Sequence, residues 1–277
     1  MDPKILQAIQ SVYQRQTIAD TYERRYKRLK ERLFGLDYTI FDKTRTYYRE
    51  VQGQDISAKE ALAFALDKTS HKNAWFASER KTIADMMHFY QEVHIYPFRQ
   101  PYLKRFGGFR WYTRLVAHRH RPAILEYGCG SAVLTEYLLT KFPHCQYAVA
   151  DIPSVTLDFV QWKKTRYHYN YTILTVGPTP EDIPLQQQYD LIICQDVLEH
   201  TPNPLQIVTA FVEHLAPGGV LVLDFLRAPD GENLEVAAAQ REAVKRLLQK
   251  RLLAVKTIDE PRGNNGLYIK DTQVVVA

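Results

Sequence analysis

From residue 123 onward, short apolar runs alternate with stretches whose apolar residues recur at helical spacing. Ala123 to Tyr127 predicts a strand, ended by Gly128-Cys129-Gly130. Val133, Leu134, Tyr137, Leu138 and Phe142 share a helical face, and Pro143 stops that helix. Gln146 to Ile152 predicts a second strand closed by Asp151, Ser154 to Lys164 a helix carrying Val155, Phe159 and Trp162 on one side, and Tyr171 to Val176 a third strand. Tyr189 to Cys194 predicts a fourth, followed by a helix over Leu205 to Leu215, a turn at Ala216-Pro217-Gly218-Gly219 and a fifth strand over Val220 to Phe225. A helix near Leu234 to Leu248 precedes two strand-like pieces, Leu252 to Ile258 and Gly266 to Lys270. Parallel strands need crossover helices, and each crossover is right-handed, so residues 116–277 are expected to form a doubly wound α/β sheet of seven strands.

The first 110 residues carry almost no strand signal. Asp2-Pro3 suits an N-cap and first helical position, and Ile5, Ile9, Val12, Ile18, Tyr22, Tyr26, Leu29 and Leu33 trace a stripe with Arg and Lys on the other side. The pattern predicts a packed helix with a solvated basic face, or a stripe that pairs with a second copy in a homodimer. Ser57 to Leu66, Ala74 to Tyr90 and the Tyr/Phe/Arg-rich piece Tyr96 to Tyr112 complete a helical cap over residues 1–115.

Composition changes this picture little, charge more. The 277 residues suffice for one large domain or two modest ones, and 45% hydrophobic with 24% charged residues is ordinary for a soluble globular protein. Cys129, Cys145 and Cys194 are too few and too irregular for a disulfide framework or zinc knuckle, so a reducing compartment is expected. With no run of membrane-span length and no apolar signal core, the expected location is the cytoplasm. The net charge of +5 divides unevenly: residues 1–120 hold 22 Lys/Arg against 13 Asp/Glu, and residues 121–277 hold 14 against 18. A basic module joined to an acidic one raises nucleic acid, a membrane surface or an acidic small molecule as partners of the basic part.

The chemistry starts at Glu126-Tyr127-Gly128-Cys129-Gly130-Ser131-Ala132. Glycines at a strand end let the backbone turn sharply and admit a ligand to main-chain N–H groups at a helix N-terminus. The dinucleotide pattern needs a third glycine where Val133 stands, and the acid two residues before Gly128 is not part of it. This segment resembles the first motif of the class I S-adenosylmethionine-dependent methyltransferases, and three further segments follow in order. Asp151 closes the second strand; Tyr189 to His200, with Gln195-Asp196-Val197-Leu198-Glu199-His200, resembles the fourth strand and loop of the ubiquinone-biosynthesis type of O-methyltransferase; and Leu215-Ala216-Pro217-Gly218-Gly219 resembles the turn into the fifth strand.

The resemblance implies a Rossmann-like seven-stranded methyltransferase fold, S-adenosyl-L-methionine as cofactor, and methylation of a small-molecule acceptor, at a hydroxyl, in secondary or specialised metabolism. It implies cofactor contacts from Glu126, Gly128, Gly130, Asp151 (ribose hydroxyls), Ile152 (adenine), Gln195 and Asp196, the last either touching the cofactor amine or capping a helix. For the acid that meets the adenine amino group, Glu181, Asp182 and the backbone alone are the alternatives. Ala132 replaces a frequent third glycine, which a small shift of the helix start would accommodate. His200 is the candidate general base, against a role in fixing its loop beside Glu199. In the cap, Tyr90, Tyr96 and Arg99 are the candidate substrate residues, Arg99 also a candidate for the cofactor carboxylate; His71, His88, His94, Tyr102 and Trp111 stand nearby in sequence. His118-Arg119-His120 lacks further ligands at suitable spacing, so no metal is expected. The basic cap points to an acidic or carrier-bound acceptor. The rival functions are an RNA methyltransferase that tracks phosphates with its N-terminal part, and a cofactor-binding but inactive partner protein.

Overall fold

The computed structural model describes residues 21–106, 109–179, 182–225, 233–258 and 265–271, with the side chains of Lys68 and Asn265 excepted. Asp2, Pro3, Ile5, Ile9, Val12, Ile18 and Glu181 lie outside the described residues.

Residues 21–34 are helical (α1). Then come a 3-10 turn Tyr38–Phe41, α2 Asp42–Val51, α3 Ala58–Leu66, α4 Lys68–Ala77, α5 Ile83–Glu92, α6 Tyr96–Lys104 and α7 Arg110–Ala117. The sheet segment follows as β1 Ala123–Tyr127, α8 Val133–Lys141, β2 Gln146–Asp151, α9 Val155–Arg166, β3 Thr172–Thr175 and β4 Tyr189–Cys194. A 3-10 turn Leu198–His200 leads to α10 Pro204–His214, β5 Leu215–Asp224, α11 Glu235–Arg251, β6 Leu253–Lys256 and β7 Asn265–Ile269. The seven strands lie in the order β3-β2-β1-β4-β5-β7-β6. Strands β1 to β5 pair in parallel, while β7 runs antiparallel to both β5 and β6. The expected doubly wound α/β sheet is therefore present. Its order reverses at β1, so the carboxyl ends of β1 and β4 open the crevice where ligands bind in such sheets.

Alternation along the strands builds two cores. Leu125, Ala148, Ile192 and Leu221 face Phe211, Val244 and Leu248 of α10 and α11, whereas Ile124, Val149, Leu191 and Val222 face Leu134, Leu138 and Val160 of α8 and α9. The N-terminal helices join both: Trp75, Met86, Phe89 and Val93 enter the first core, and Phe109, Tyr112 and Val116 the second. The division expected between residues 115 and 116 falls inside α7, whose Tyr112 and Val116 are buried in the second core.

Three other expectations change. The helix predicted over Ala74 to Tyr90 is two helices, because Thr82 is extended and forms a capping box with Asp85, opening α5 where α4 has already ended. The expected turn at Ala216 to Gly219 is the irregular start of β5: Gly218 takes φ +72°, the pairing register with β4 shifts, and the N–H of Gly218 donates to the carbonyl of Lys270. In α1 the packed face is the reverse of the expected one. Glu31 pairs with Arg105, while Tyr22, Tyr26 and Leu33 are about two-thirds exposed at 67%, 69% and 67%. The apolar stripe faces outward in the single chain.

Helix α6 carries cap residues toward the crevice despite Pro101 in its interior. A proline there has no N–H for the carbonyl four residues back, that of Pro97. The buried hydroxyl of Thr44 on α2 donates to that carbonyl instead, at 2.8 Å. Thr44→Val should therefore cost about 1–3 kcal/mol through an unsatisfied buried carbonyl, read as a lower midpoint in urea denaturation. Among the described residues no helix is long and apolar enough to cross a membrane.

Candidate active site

A cavity of about 660 Å³ opens at the carboxyl ends of β1 and β4, roofed by α4, α5 and α6. Its floor is the glycine loop. Gly128 and Gly130 both take positive φ, at +67° and +49°. A Cβ on Gly128 would run into the side chain of Val197, and one on Gly130 into that of Gln100. Ala132 occupies the same left-handed region, at φ +49°, immediately before α8. The helix start has not shifted to relieve it. The alanine instead stays in a conformation that costs a side-chain residue roughly 1–2 kcal/mol, held by a loop fixed at both ends.

One fixing point is Asp151. Its two carboxylate oxygens accept the N–H of Gly130 at 2.7 Å and of Ile152 at 2.8 Å. Burial pushes its carboxyl up to about 6, with those two hydrogen bonds opposing the shift. The other is Lys163 on α9, a buried lysine whose ammonium donates to the carbonyl of Ser131 at 2.6 Å and pairs with Glu136. Glu136 also receives Lys43 from α2 at 2.6 Å. Lys163→Met is expected to loosen the glycine loop and to destabilise the fold by about 3 kcal/mol, as breaking a buried ion pair does; thermal unfolding measures the second effect and titration with S-adenosylhomocysteine the first.

Glu126 turns its carboxylate to the first turn of α8, where Thr135 donates from both N–H and hydroxyl. Burial pushes this carboxyl up to about 7 from an ordinary 4.5, against the Thr135 hydrogen bonds and the charges of Lys104 and Lys163. A raised carboxyl value means the folded chain keeps a proton that the unfolded chain has lost, so this group's contribution to stability falls as pH rises through about 4.5 to 7. Glu126→Gln removes that titration. The melting-temperature difference between variant and wild type should move in the variant's favour from pH 5 to pH 8.

The sheet side of the cavity is acidic, with Glu126, Asp151, Asp196 and Glu199; among the described residues every charged one on its cap side is a cation, namely Lys72, Arg99 and Lys104. Asp196, Glu199 and Asp224 each bring a carboxylate oxygen within 4.8 Å of the others. The carboxyl of Asp224 is pushed well up by burial and by those two neighbours, and it accepts the N–H of Asp196 at 2.7 Å. That backbone bond holds Asp196 at φ +56° beside the cavity.

Of the residues singled out from sequence, Glu126, Gly128, Gly130, Asp151, Ile152, Gln195, Asp196, His200, Tyr90, Tyr96 and Arg99 all line this cavity. Asp182 does not: its carboxylate accepts both the N–H and the hydroxyl of Thr179, closing the turn after β3. A carboxylate spent on its own turn does not project inward, and Thr179 and Ile183 line the cavity in its place. His88 and His94 are exposed, α5 ending before the second, and Tyr102 and Trp111 pack into cores. Gln195 is held by the hydroxyl of Tyr112. His200 lies on the wall with its ring edge-on to Trp75, centroids 5.3 Å apart.

Two residues were not found from sequence. Gln100 accepts the N–H of Ser131 and lies across Gly130, and Trp75 meets the His200 ring edge-on in the cavity wall. Neither stands in a motif; only packing of the cap onto the sheet brings them to the loop.

A family model described as a methyltransferase domain matches residues 125–221. Among curated proteins, a ubiquinone biosynthesis O-methyltransferase of Psychrobacter cryohalolentis is 30% identical over 135 residues, 46% of this chain and 49% of that protein. The chain thus spans about half the length of that relative. A protein of the same description from Xanthomonas axonopodis pv. citri is 30% identical over 175 residues, 56% of this chain and 68% of its own length. Among solved structures, the N-methyltransferase NodS of Bradyrhizobium japonicum WM9, in complex with S-adenosyl-l-homocysteine, aligns with a TM-score of 0.46 and 18% identity over 68% of this chain and 98% of that one. Kinship in sequence thus covers the strands that build the glycine loop and Asp151, and the chain belongs to the class I S-adenosylmethionine-dependent methyltransferases.

Proposed function

We propose that the protein transfers a methyl group from S-adenosylmethionine to a hydroxyl of a small-molecule acceptor held under the helical cap. One observation carries this: a single cavity joins the glycine loop and Asp151 to His200 and to the cap residues Tyr90, Tyr96 and Arg99. The donor set suits the cofactor. Gly128 and Gly130 turn the loop at positive φ with Val197 and Gln100 packed against them, and Asp151 offers carboxylate oxygens for a pair of ribose hydroxyls. Ile152, Val176 and Ile183 give apolar walls for an adenine, and the acids of the sheet side suit a cationic ligand.

When bound, S-adenosylmethionine supplies an electrophilic methyl group on a sulfonium. The chain's own work is to position and desolvate the acceptor beside it and to take the acceptor's proton. We assign the proton to His200, which lies on the turn after β4 and lines the cavity. Met86, Trp75, Tyr90 and Tyr96 exclude water from that end. The relatives' printed name, an O-methyltransferase of ubiquinone biosynthesis, supports oxygen as the methylated atom. The test is a mass-spectrometric search of metabolite extract incubated with protein and S-adenosylmethionine. A metabolite that gains one methyl group, with wild type but not with His200→Ala, supports this reading; methylation of nucleic acid alone would replace it with the RNA reading.

A further inference from the structure

Resting on that reading, we infer that the acceptor carries a carboxylate on a flat apolar body, and that Arg99, Trp75 and His71 form its seat. Three nitrogens on the cap side of the cavity are shielded from solvent and have no hydrogen-bond partner: Nη1 of Arg99, Nε1 of Trp75 and Nδ1 of His71. The first two are donors whatever the pH. The third is a donor in the tautomer whose Nε2 accepts from the Tyr96 hydroxyl, 2.9 Å away. Burial and the charges of Arg99 and His200 lower His71 to about 4, which keeps it neutral.

Buried donors without acceptors are unfavourable, and three on one wall call for a group with only acceptor atoms. A carboxylate meets a guanidinium in its own plane and has lone pairs left for the indole and imidazole N–H groups. The surrounding charges agree, since the cap side contributes cations alone. The rings of Tyr90 and Tyr96, 5.4 Å apart, and the side chain of Met86 offer flat apolar surface between this seat and the sheet. His200, 5.3 Å from Trp75, stands at its edge, so an acceptor seated here presents its hydroxyl toward the base.

The cofactor has a carboxylate too, and we assign the two anions to different parts of the cavity. The residue of α6 that touches the glycine loop is Gln100, through the N–H of Ser131, whereas Arg99 acts on His71 of α4. Arg99 accordingly serves the acceptor.

The test follows the indole N–H resonance of Trp75 in ¹⁵N-tryptophan-labelled protein, assigned by Trp75→Phe, as the three hydroxybenzoates and matched hydroxybenzamides are added with and without S-adenosylhomocysteine. The expected result is a shift with at least one hydroxybenzoate, and binding of the corresponding amide weaker by about tenfold or more, the worth of a charge-assisted hydrogen bond. Arg99→Gln should abolish the shift and leave S-adenosylhomocysteine affinity within about threefold of wild type. No shift with any hydroxybenzoate, or an equal response to the amides, overturns the inference. So does a tenfold loss of S-adenosylhomocysteine affinity in Arg99→Gln, which would give the arginine to the cofactor. Failure of wild type to bind S-adenosylhomocysteine strikes the methyltransferase reading instead, while the hydroxybenzoates added alone still report on the seat.

Discussion

Asp151→Ala is expected to reduce affinity for S-adenosylhomocysteine by about 100-fold or more, because two charge-assisted hydrogen bonds to ribose hydroxyls are each worth about 1.5–3 kcal/mol. The same carboxylate holds the N–H groups of Gly130 and Ile152, so part of the loss comes from a loosened glycine loop. Asp151→Asn separates the two contributions: it keeps an acceptor near the loop but removes the charge, and its affinity should fall between wild type and the alanine variant. The carboxyl of Asp151, ordinarily near 3.8, is raised to about 6, so below that pH it is neutral and cofactor binding weakens. Affinity measured by calorimetry should therefore drop between pH 7 and pH 5 in wild type and stay flat in Asp151→Asn.

His200→Ala should lower kcat by about 10² to 10⁴-fold, the range a positioned general base contributes. Cofactor affinity should remain within about threefold of wild type. The contrast matters because His200 also belongs to the 3-10 turn after β4, its N–H donating to the carbonyl of Val197, the residue that packs on Gly128. A histidine that only fixed this turn would cost binding and turnover together. Loss of a base would instead remove the rising acid limb of the kcat profile, and His200→Gln, which keeps a polar side chain but no basicity, would behave like the alanine variant.

The sheet side of this site was legible because its signals are local. Glu126, Gly128, Gly130 and Asp151 stand at strand ends, where the side-chain period changes and the backbone must turn, and their positions follow from the strands alone. Ala132 takes a left-handed conformation, which a shifted helix start would have avoided. Asp182 misled because an acid in a loop has a local use as good as a ligand contact, here the Thr179 turn.

The cap was less legible. Ala74 to Tyr90 is expected as one helix, yet the extended backbone at Ser78 and the capping box of Thr82 divide it, at the polar run Ser78 to Thr82. Helix α2, with adjacent tyrosines and threonines of low helix preference, gave no readable stripe, although Tyr47 and Tyr48 are buried. In α1 charge decided over pattern: Glu31 and Glu23 meet Arg105 and Arg110, and the apolar stripe is turned away. The charge division itself proved more local than the whole-chain count. It reappears inside the cavity, acids on the sheet wall and cations on the cap wall.

The central claim is that this cavity binds the cofactor through the glycine loop and Asp151. Calorimetric titration of S-adenosylhomocysteine into the folded wild-type chain at neutral pH measures it most directly. One site per chain, with affinity falling about 100-fold or more in Asp151→Ala, is the predicted result; no detectable binding to the folded wild type, or equal affinity in the two proteins, would contradict it.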